Sequence, residues 1–254
     1  MSVRPKKHLG QHFLTDENIA KKIVLSLEIN QGDNLIEIGP GKGVLTKYIR
    51  EKEGINFKVA EIDTESVAFL KERYTDLNII HKDFLKIDLD GISEGSLKLI
   101  GNLPYNISNQ IFFKVYENRH FVDECVFMIQ KEVAERICSG PGNKTYGILS
   151  VLLQAFFNID YLFTVKPGVF FPPPKVNSSV IRLKRNNTVN LDCDESLFLK
   201  IVKATFNKRR KTIRNGLKDL FEINFEDNLL KKRAEQLDVA NFVDLTKRMG
   251  PMIR

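Results

Sequence analysis

The stretch Leu35-Ile36-Glu37-Ile38-Gly39-Pro40-Gly41-Lys42-Gly43-Val44-Leu45 limits the fold of this chain more than any other. Its apolar start reads as a buried strand, its glycines as a tight turn, and its end as the start of a helix. A strand that turns through glycines into a helix opens a βαβ unit, and that unit requires a parallel sheet. The turn lacks the six-position spacing of a dinucleotide site and the Gly-Lys-Ser/Thr end of a phosphate loop, so a purely structural turn is a fair rival. The next strand, Asn56 to Asp63, sharpens the signal. Glu61 lies roughly 20 residues beyond the turn, where an acid holds a ribose diol. Asp63 reads instead as the cap of a helix that begins near Thr64.

The alternation continues. Leu77 to His81 reads as a third strand, followed by Lys82-Asp83-Phe84. At that strand end Asp83 either accepts from an adenine amine, with Phe84 on the ring, or caps the next turn. Leu97 to Ile100 is a fourth strand and Cys125 to Ile129 a fifth, with helices over Ile107 to Tyr116 and Lys131 to Ile137. Strands that alternate with helices give a mostly parallel sheet covered on both faces.

The fourth strand runs into Gly101-Asn102-Leu103-Pro104-Tyr105-Asn106. Ligands of open α/β sheets bind beyond the carboxyl ends of the strands. Asn102 has one strong acceptor and two donors but no titratable proton, so it is neither general base nor nucleophile. It is suited to holding an amino group. Pro104 drives Leu103 towards an extended conformation, which aims the Leu103 carbonyl at the same amine. Tyr105 offers a flat face to a flat ring. On these residues alone a strand-end turn is the favoured reading, and the rest of the chain reverses that preference.

The flanks carry further signals. His8-Leu9-Gly10-Gln11-His12-Phe13-Leu14 has no period and precedes a helix, for which Thr15 is the expected N-cap. His8 and His12 lack a third ligand nearby, so they read as hydrogen-bonding loop histidines rather than a metal pair. Ser139 to Lys144 is a loop, and Tyr146 to Phe157 an apolar helix. In Phe170-Phe171-Pro172-Pro173-Pro174-Lys175-Val176 the prolines present a phenylalanine at a fixed angle. One ring belongs to the core and the other is free to stack on a base. Lys184 to Asp194 is polar and asparagine-rich, a domain boundary. Beyond it, Phe198, Ile201, Val202, Thr205 and Phe206 make one amphipathic helix face. Lys208-Arg209-Arg210-Lys211-Thr212-Ile213-Arg214-Asn215 is the densest basic run. Such a run is usually a solvated helix face, but a chain with a base-holding stretch has a use for phosphate contacts.

Composition is consistent with this. The chain has 254 residues, 43% hydrophobic and 28% charged, and a net charge of +7, which points to an anionic partner, nucleic acid first. Cys125, Cys138 and Cys193 form no Cys-x-x-Cys pair, so neither a disulfide framework nor a zinc site is expected. The basic N-terminus lacks the apolar core of a signal peptide, and no apolar run reaches membrane-spanning length. A reducing, cytoplasmic setting is the expectation.

Taken in order, His8 to Leu14, Glu37 to Gly41, Gly101 to Ser108, Phe170 to Val176 and Arg209 to Asn215 resemble one family, the small-subunit ribosomal RNA adenine dimethyltransferases (KsgA/RsmA). The resemblance implies an α/β, Rossmann-like methyltransferase domain over residues 1–186 and a small all-helical rRNA-binding domain over 187–254. It implies S-adenosylmethionine as methyl donor and dimethylation of two adjacent adenines near the 3′ end of small-subunit rRNA, in the course of subunit biogenesis. By matching motif positions, the donor contacts are His12, Leu14, Gly39, Glu61, Asp83 and Asn102; His12 stands where the family often has asparagine. Asn102 and the Leu103 carbonyl would hold the target amine, with Tyr105 and Phe170 sandwiching the base. Lys208, Arg209, Arg210, Lys211 and Arg214 would contact RNA. The implied partner is the immature small ribosomal subunit, met by a monomer without a metal. Rival readings are a non-catalytic RNA-binding assembly factor and a DNA adenine methyltransferase.

Overall fold

The computed structural model describes residues 3–92 and 95–250. It forms two units: residues up to Ala134 with Asn158–Arg185, and Glu135–Phe157 with the chain from Asn186 onward.

In the first unit the central apolar runs, Asn34–Ile38, Leu97–Asn102 and Val122–Gln130, became strands buried almost throughout, as Val/Ile/Leu-rich parallel strands are, while the edge strand Asn78–His81 is only half-buried. In chain order the strands are β1 (Phe13–Leu14), β2 (Asn34–Ile38), β3 (Asn56–Glu61), β4 (Asn78–His81), β5 (Leu97–Asn102), β6 (Val122–Gln130), β7 (Phe157–Val165), β8 (Phe170–Phe171) and β9 (Ser178–Arg185). The main sheet has the order β4-β3-β2-β5-β6-β9-β7. From β4 to β6 all pairings are parallel, with Ile38 opposite Ala60 and Ile36 opposite Leu99, while β9 runs antiparallel to β6. The chain steps outward from β2 to β4 and then returns to the other side of β2 as β5. This reversal leaves a crevice at the carboxyl ends of β2 and β5, the usual place for a ligand. At Gly101 a Cβ would stand 2.6 Å from the Ile38 carbonyl oxygen, so close approach of these two strands requires the glycine.

The helix expected after Thr15 runs Glu17–Leu25, and its N-cap is Asp16, whose carboxylate accepts from the amides of Asn18 and Ile19 at 2.9 and 3.0 Å. Thr15 is used elsewhere: its amide and hydroxyl both donate to the Val169 carbonyl, at 2.8 and 2.9 Å. Asp63 caps the helix Thr64–Arg73, as expected. Ile23, Val24, Leu35, Ile49, Ile100, Val126, Met128 and Val180 pack into one core cluster on the sheet.

The second unit is helical and draws on two stretches of chain. The amphipathic face expected at Phe198 to Phe206 lies on the helix Glu195–Asn207 and is buried. It packs with Tyr146, whose ring centroid is 6.0 Å from that of Phe206, and Phe206 is in turn 6.0 Å from Phe242. The apolar helix Ile148–Gln154 follows Tyr146. Residues 135–157, placed by sequence with the catalytic part, therefore group with the C-terminal helices, because their apolar faces are buried there. The second seam, at Asn186, lies at the polar segment.

Candidate functional site

The carboxyl ends of β2, β3, β4 and β5 surround a cavity of about 230 Å³. Gly39 and Gly41, at φ 64 and 55, make the turn after β2. A Cβ at Gly39 would meet nothing within 4 Å, so the bare backbone there faces open space. A Cβ at Gly41 would strike the Phe13 ring at 2.8 Å, so that ring closes over the turn.

Glu61, the last residue of β3, is only 4% exposed. One carboxylate oxygen accepts from the Gly41 amide at 3.0 Å and the other from the Asp63 amide at 2.9 Å. Burial holds its carboxyl above the ordinary carboxylate range, with these amides opposing the shift. Behind it Glu37 is fully buried and pushed up to about 8 by burial; the Thr46 hydroxyl donates to it at 2.5 Å and favours the charged form. Asp83 lines the cavity and also caps the short turn Phe84–Lys86, accepting from the Leu85 amide at 3.0 Å. The capping reading is seen directly, and the residue that caps the turn is also one that borders the cavity.

At the end of β5, the Asn102 side-chain Nδ2 donates to the His12 carbonyl at 2.9 Å. This bond sets which way the amide faces. Its oxygen is left without a partner among the described residues, an acceptor at the cavity wall. Leu103 is buried, its amide donating to the Met128 carbonyl at 3.0 Å. The Tyr105 hydroxyl is held by the Ser178 hydroxyl at 2.6 Å, and burial raises its pKa. The Tyr105 ring faces His12 at 5.4 Å, tilted by 31°. His12 Nδ1 is 2.7 Å from the Pro172 carbonyl oxygen, which requires a proton on that nitrogen.

Most of the expected residues meet at this cavity: His12, Gly39, Glu61, Asp83, Asn102, Leu103 and Tyr105 all line it. Leu14 does not; it is 5% exposed and packed in the core cluster, while Phe13 takes the cavity side. The expected sandwich of Tyr105 and Phe170 is corrected. Phe170 pairs with Leu14 across β1 and β8 and lies in the core at 4% exposure, whereas Phe171, opposite Phe13, is 58% exposed. Adjacent strand residues face opposite sides, so only one of the two rings can be free, and it is Phe171. Sequence reasoning missed the wall made by Leu9, Gly10, Gln11 and Phe13. That segment has no period, and its only signal was its place in the His8 to Leu14 stretch that carries the family resemblance. Gln11 ties it down by accepting from the Lys6 amide at 2.8 Å, and the Lys6 ammonium bonds Asp63.

In the second unit the basic run is partly engaged. Arg209 donates to the carbonyls of Lys144 and, at 2.9 Å, Tyr146. Arg214 donates to the carbonyls of Ile223 and Phe225 and to Glu226, and Lys208 pairs with Asp219. Arg210 and Lys211 are exposed. Among the described residues there is no cluster of three or more His, Cys, Asp or Glu suited to a metal, and no helix long and apolar enough to cross a membrane.

Comparison with known proteins bears on this geometry. The family model for Ribosomal RNA adenine dimethylase matches residues 3–249. The chain is 52% identical to Ribosomal RNA small subunit methyltransferase A of Bacteroides thetaiotaomicron, covering 99% of this chain and 96% of that one. It is 53% identical to the protein of the same name from Cytophaga hutchinsonii, covering 98% of each. Among solved structures, a dimethyladenosine transferase from Plasmodium falciparum superposes with a TM-score of 0.78 at 24% identity, covering 92% of this chain and 96% of that one. The 23S rRNA methyltransferase ErmE gives 0.69 at 20% identity, covering 92% and 99%. The structural likenesses establish the fold.

Proposed function

We propose a mechanism for this cavity from the premise that the chain belongs to the ribosomal RNA adenine dimethylase family. The protein is an S-adenosylmethionine-dependent adenine dimethyltransferase of small-subunit ribosomal RNA.

The residues present fit the donor. Glu61 sits at the end of β3 with both oxygens oriented by backbone amides, so that its remaining lone pairs suit the two hydroxyls of a ribose. Gly39 leaves backbone open to close approach. Asp83 keeps one carboxylate oxygen without a hydrogen-bond partner among the described residues, which suits an adenine amine. When bound, the donor supplies an electrophilic methyl group on a sulfonium.

The observation that carries the mechanism is the bond from Asn102 Nδ2 to the His12 carbonyl. It fixes the amide so that its oxygen is the acceptor. An adenine amine is a poor nucleophile because its lone pair is delocalised into the ring. Asn102 Oδ1 and the Leu103 carbonyl accept its two hydrogens and favour a pyramidal nitrogen, which frees the lone pair. Tyr105, held by Ser178, supports the ring face. The protein's contribution is alignment and charge placement. The target base leaves its stack to reach the cavity. The substrate is the immature small subunit, and the two adenines are adjacent and near the RNA 3′ end. The enzyme acts as a monomer in the cytoplasm, the first unit holding donor and target base and the helical unit holding rRNA.

The test is methyl transfer by the purified protein to small-subunit particles that lack dimethyladenosine, read by mass spectrometry of the RNA, with DNA and large-subunit RNA as competitors. Dimethyladenosine confined to small-subunit RNA is the expected result. Its absence, with RNA still bound, would leave a binding factor without chemistry.

A further inference from the structure

Residues 140–145 are consecutive exposed positions in the helical unit. An exposed loop of this kind ordinarily moves, yet this one is tied at several points. The Gly142 amide donates to the Glu235 carbonyl at 2.6 Å. The Asn143 side-chain oxygen accepts from the Thr145 amide and hydroxyl, each at 3.0 Å. The chain then enters the core at Tyr146. The strongest tie comes from the basic run: Arg209 turns its guanidinium onto the carbonyls of Lys144 and Tyr146. Its other neighbour is the Glu235 carboxylate, 4.0 Å from Nε.

Arg209, its side chain still 40% exposed, joins the loop to the turn Lys208–Lys211, which is closed by the Lys211 amide on the Lys208 carbonyl at 2.8 Å. The ammonium of Lys144 and the charges of Arg210 and Lys211 have no hydrogen-bond or ion-pair partner among the described residues, and all three residues are exposed. At Gly140 a Cβ would meet nothing within 4 Å, and the φ there is not positive. Neither packing nor conformation demands a bare backbone at that position.

We infer that the 140–145 loop is an RNA-binding element of this enzyme, built to meet backbone phosphates. Lys144 and the unencumbered backbone at Gly140 meet the same RNA as Arg210 and Lys211. Arg209 is the brace that positions the loop, not a phosphate ligand. The inference rests on the rRNA-methyltransferase reading and deepens it: the loop completes a cationic surface of Lys144, Arg210 and Lys211, whose charges are unpaired among the described residues, and an anionic polymer is the complement that pairs them all.

The experiment uses the full-length protein and small-subunit particles, with affinity measured over a range of salt. Lys144→Ala should weaken binding several-fold at low salt and reduce the salt slope by about one, the loss of one phosphate contact. Arg209→Ala should weaken RNA binding several-fold by releasing the loop, while Arg209→Lys, whose ammonium can also donate to two carbonyls as that of Lys114 does in this chain, should recover much of it. S-adenosylmethionine affinity, read by calorimetry, should equal wild type for Lys144→Ala. Wild-type RNA affinity and salt slope in Lys144→Ala would overturn the inference, as would wild-type RNA affinity in Arg209→Ala. If the wild-type protein itself neither binds nor methylates small-subunit RNA, the reading beneath the inference fails, and that result is distinct from a silent Lys144 variant.

Discussion

Replacing Asn102 probes the mechanism at its most specific point. Asn102→Ala removes both the open acceptor and the bond to the His12 carbonyl at 2.9 Å. The lost bond to His12 is a neutral, half-buried one and costs about 1 kcal/mol of stability, too little to unfold the domain. Losing one well-placed transition-state acceptor costs roughly 3 kcal/mol, about a hundredfold in rate. Asn102→Asp is more diagnostic. It keeps an acceptor for the amine but puts a second carboxylate oxygen against the His12 carbonyl, with no hydrogen between them. Two acceptors at 2.9 Å repel, so the ionised carboxylate swings away and loses the aligned geometry. Protonation would restore a donor to His12, so the His12 carbonyl raises the pKa of the introduced carboxyl, and the rate of the variant relative to wild type should climb as pH falls. The assay is single-turnover methyl transfer to small-subunit particles, with wild type measured at every pH and RNA binding measured alongside. RNA affinity should stay near wild type, since phosphate contacts dominate it. An Asn102→Ala enzyme that binds RNA and methylates at the normal rate refutes the amine-holding role. A ratio for Asn102→Asp that is low and flat with pH refutes the orienting role of the His12 carbonyl alone.

Three further outcomes are expected. Glu61→Ala should weaken S-adenosylmethionine binding by about 1.5–3 kcal/mol for each charge-assisted bond lost, and it should also lower the melting temperature, because the Gly41 and Asp63 amides lose their acceptors; unchanged affinity in calorimetry removes Glu61 from the donor site. Phe170→Ala should destabilise the fold by about 3–5 kcal/mol, as emptying a core ring site does, while Phe171→Ala stays within about 0.5 kcal/mol; urea denaturation of the pair checks the assignment, and equal losses would contradict it. Glu37 is held neutral by burial, its pKa pushed up to about 8, so the stability it contributes is present below the ordinary carboxylate range and is lost as pH rises through about 8. Glu37→Gln stays neutral and can still accept from Thr46, so its melting temperature should gain on that of wild type as pH rises from the ordinary carboxylate range to about 8 and hold that gain above; parallel curves across the window would show that Glu37 is ionised throughout.

Much of this protein was legible in its sequence because the signals are local. Apolar runs with Gly39, Gly41 and Gly101 at their ends announce strands, turns and a parallel sheet, and parallel strands place Glu61, Asp83 and Asn102 on one edge without knowledge of any tertiary contact. The apolar spacing of Phe198 to Phe206 likewise marks its helix face, since a period of 3.6 is written in the chain itself. Tertiary structure decided what depends on pairings between distant residues. The segment from Leu9 to Phe13 has no period, and it forms a wall only because Asn102 and Pro172 hold His12 from 90 and 160 residues away. Phe170 and Phe171 have the same chemistry and alternate in facing, so the partner strand Phe13–Leu14 selects which ring is buried. Residues 135–157 read as a helix end, a loop and an apolar helix of the catalytic domain, yet they bury their apolar faces among helices that come much later in the chain. Arg209 reads as one cation in a basic run, and only its bonds to two carbonyls of a remote loop show that it braces that loop. Periodicity records which face of an element is apolar; it carries no record of what covers that face, and the covering decides the site.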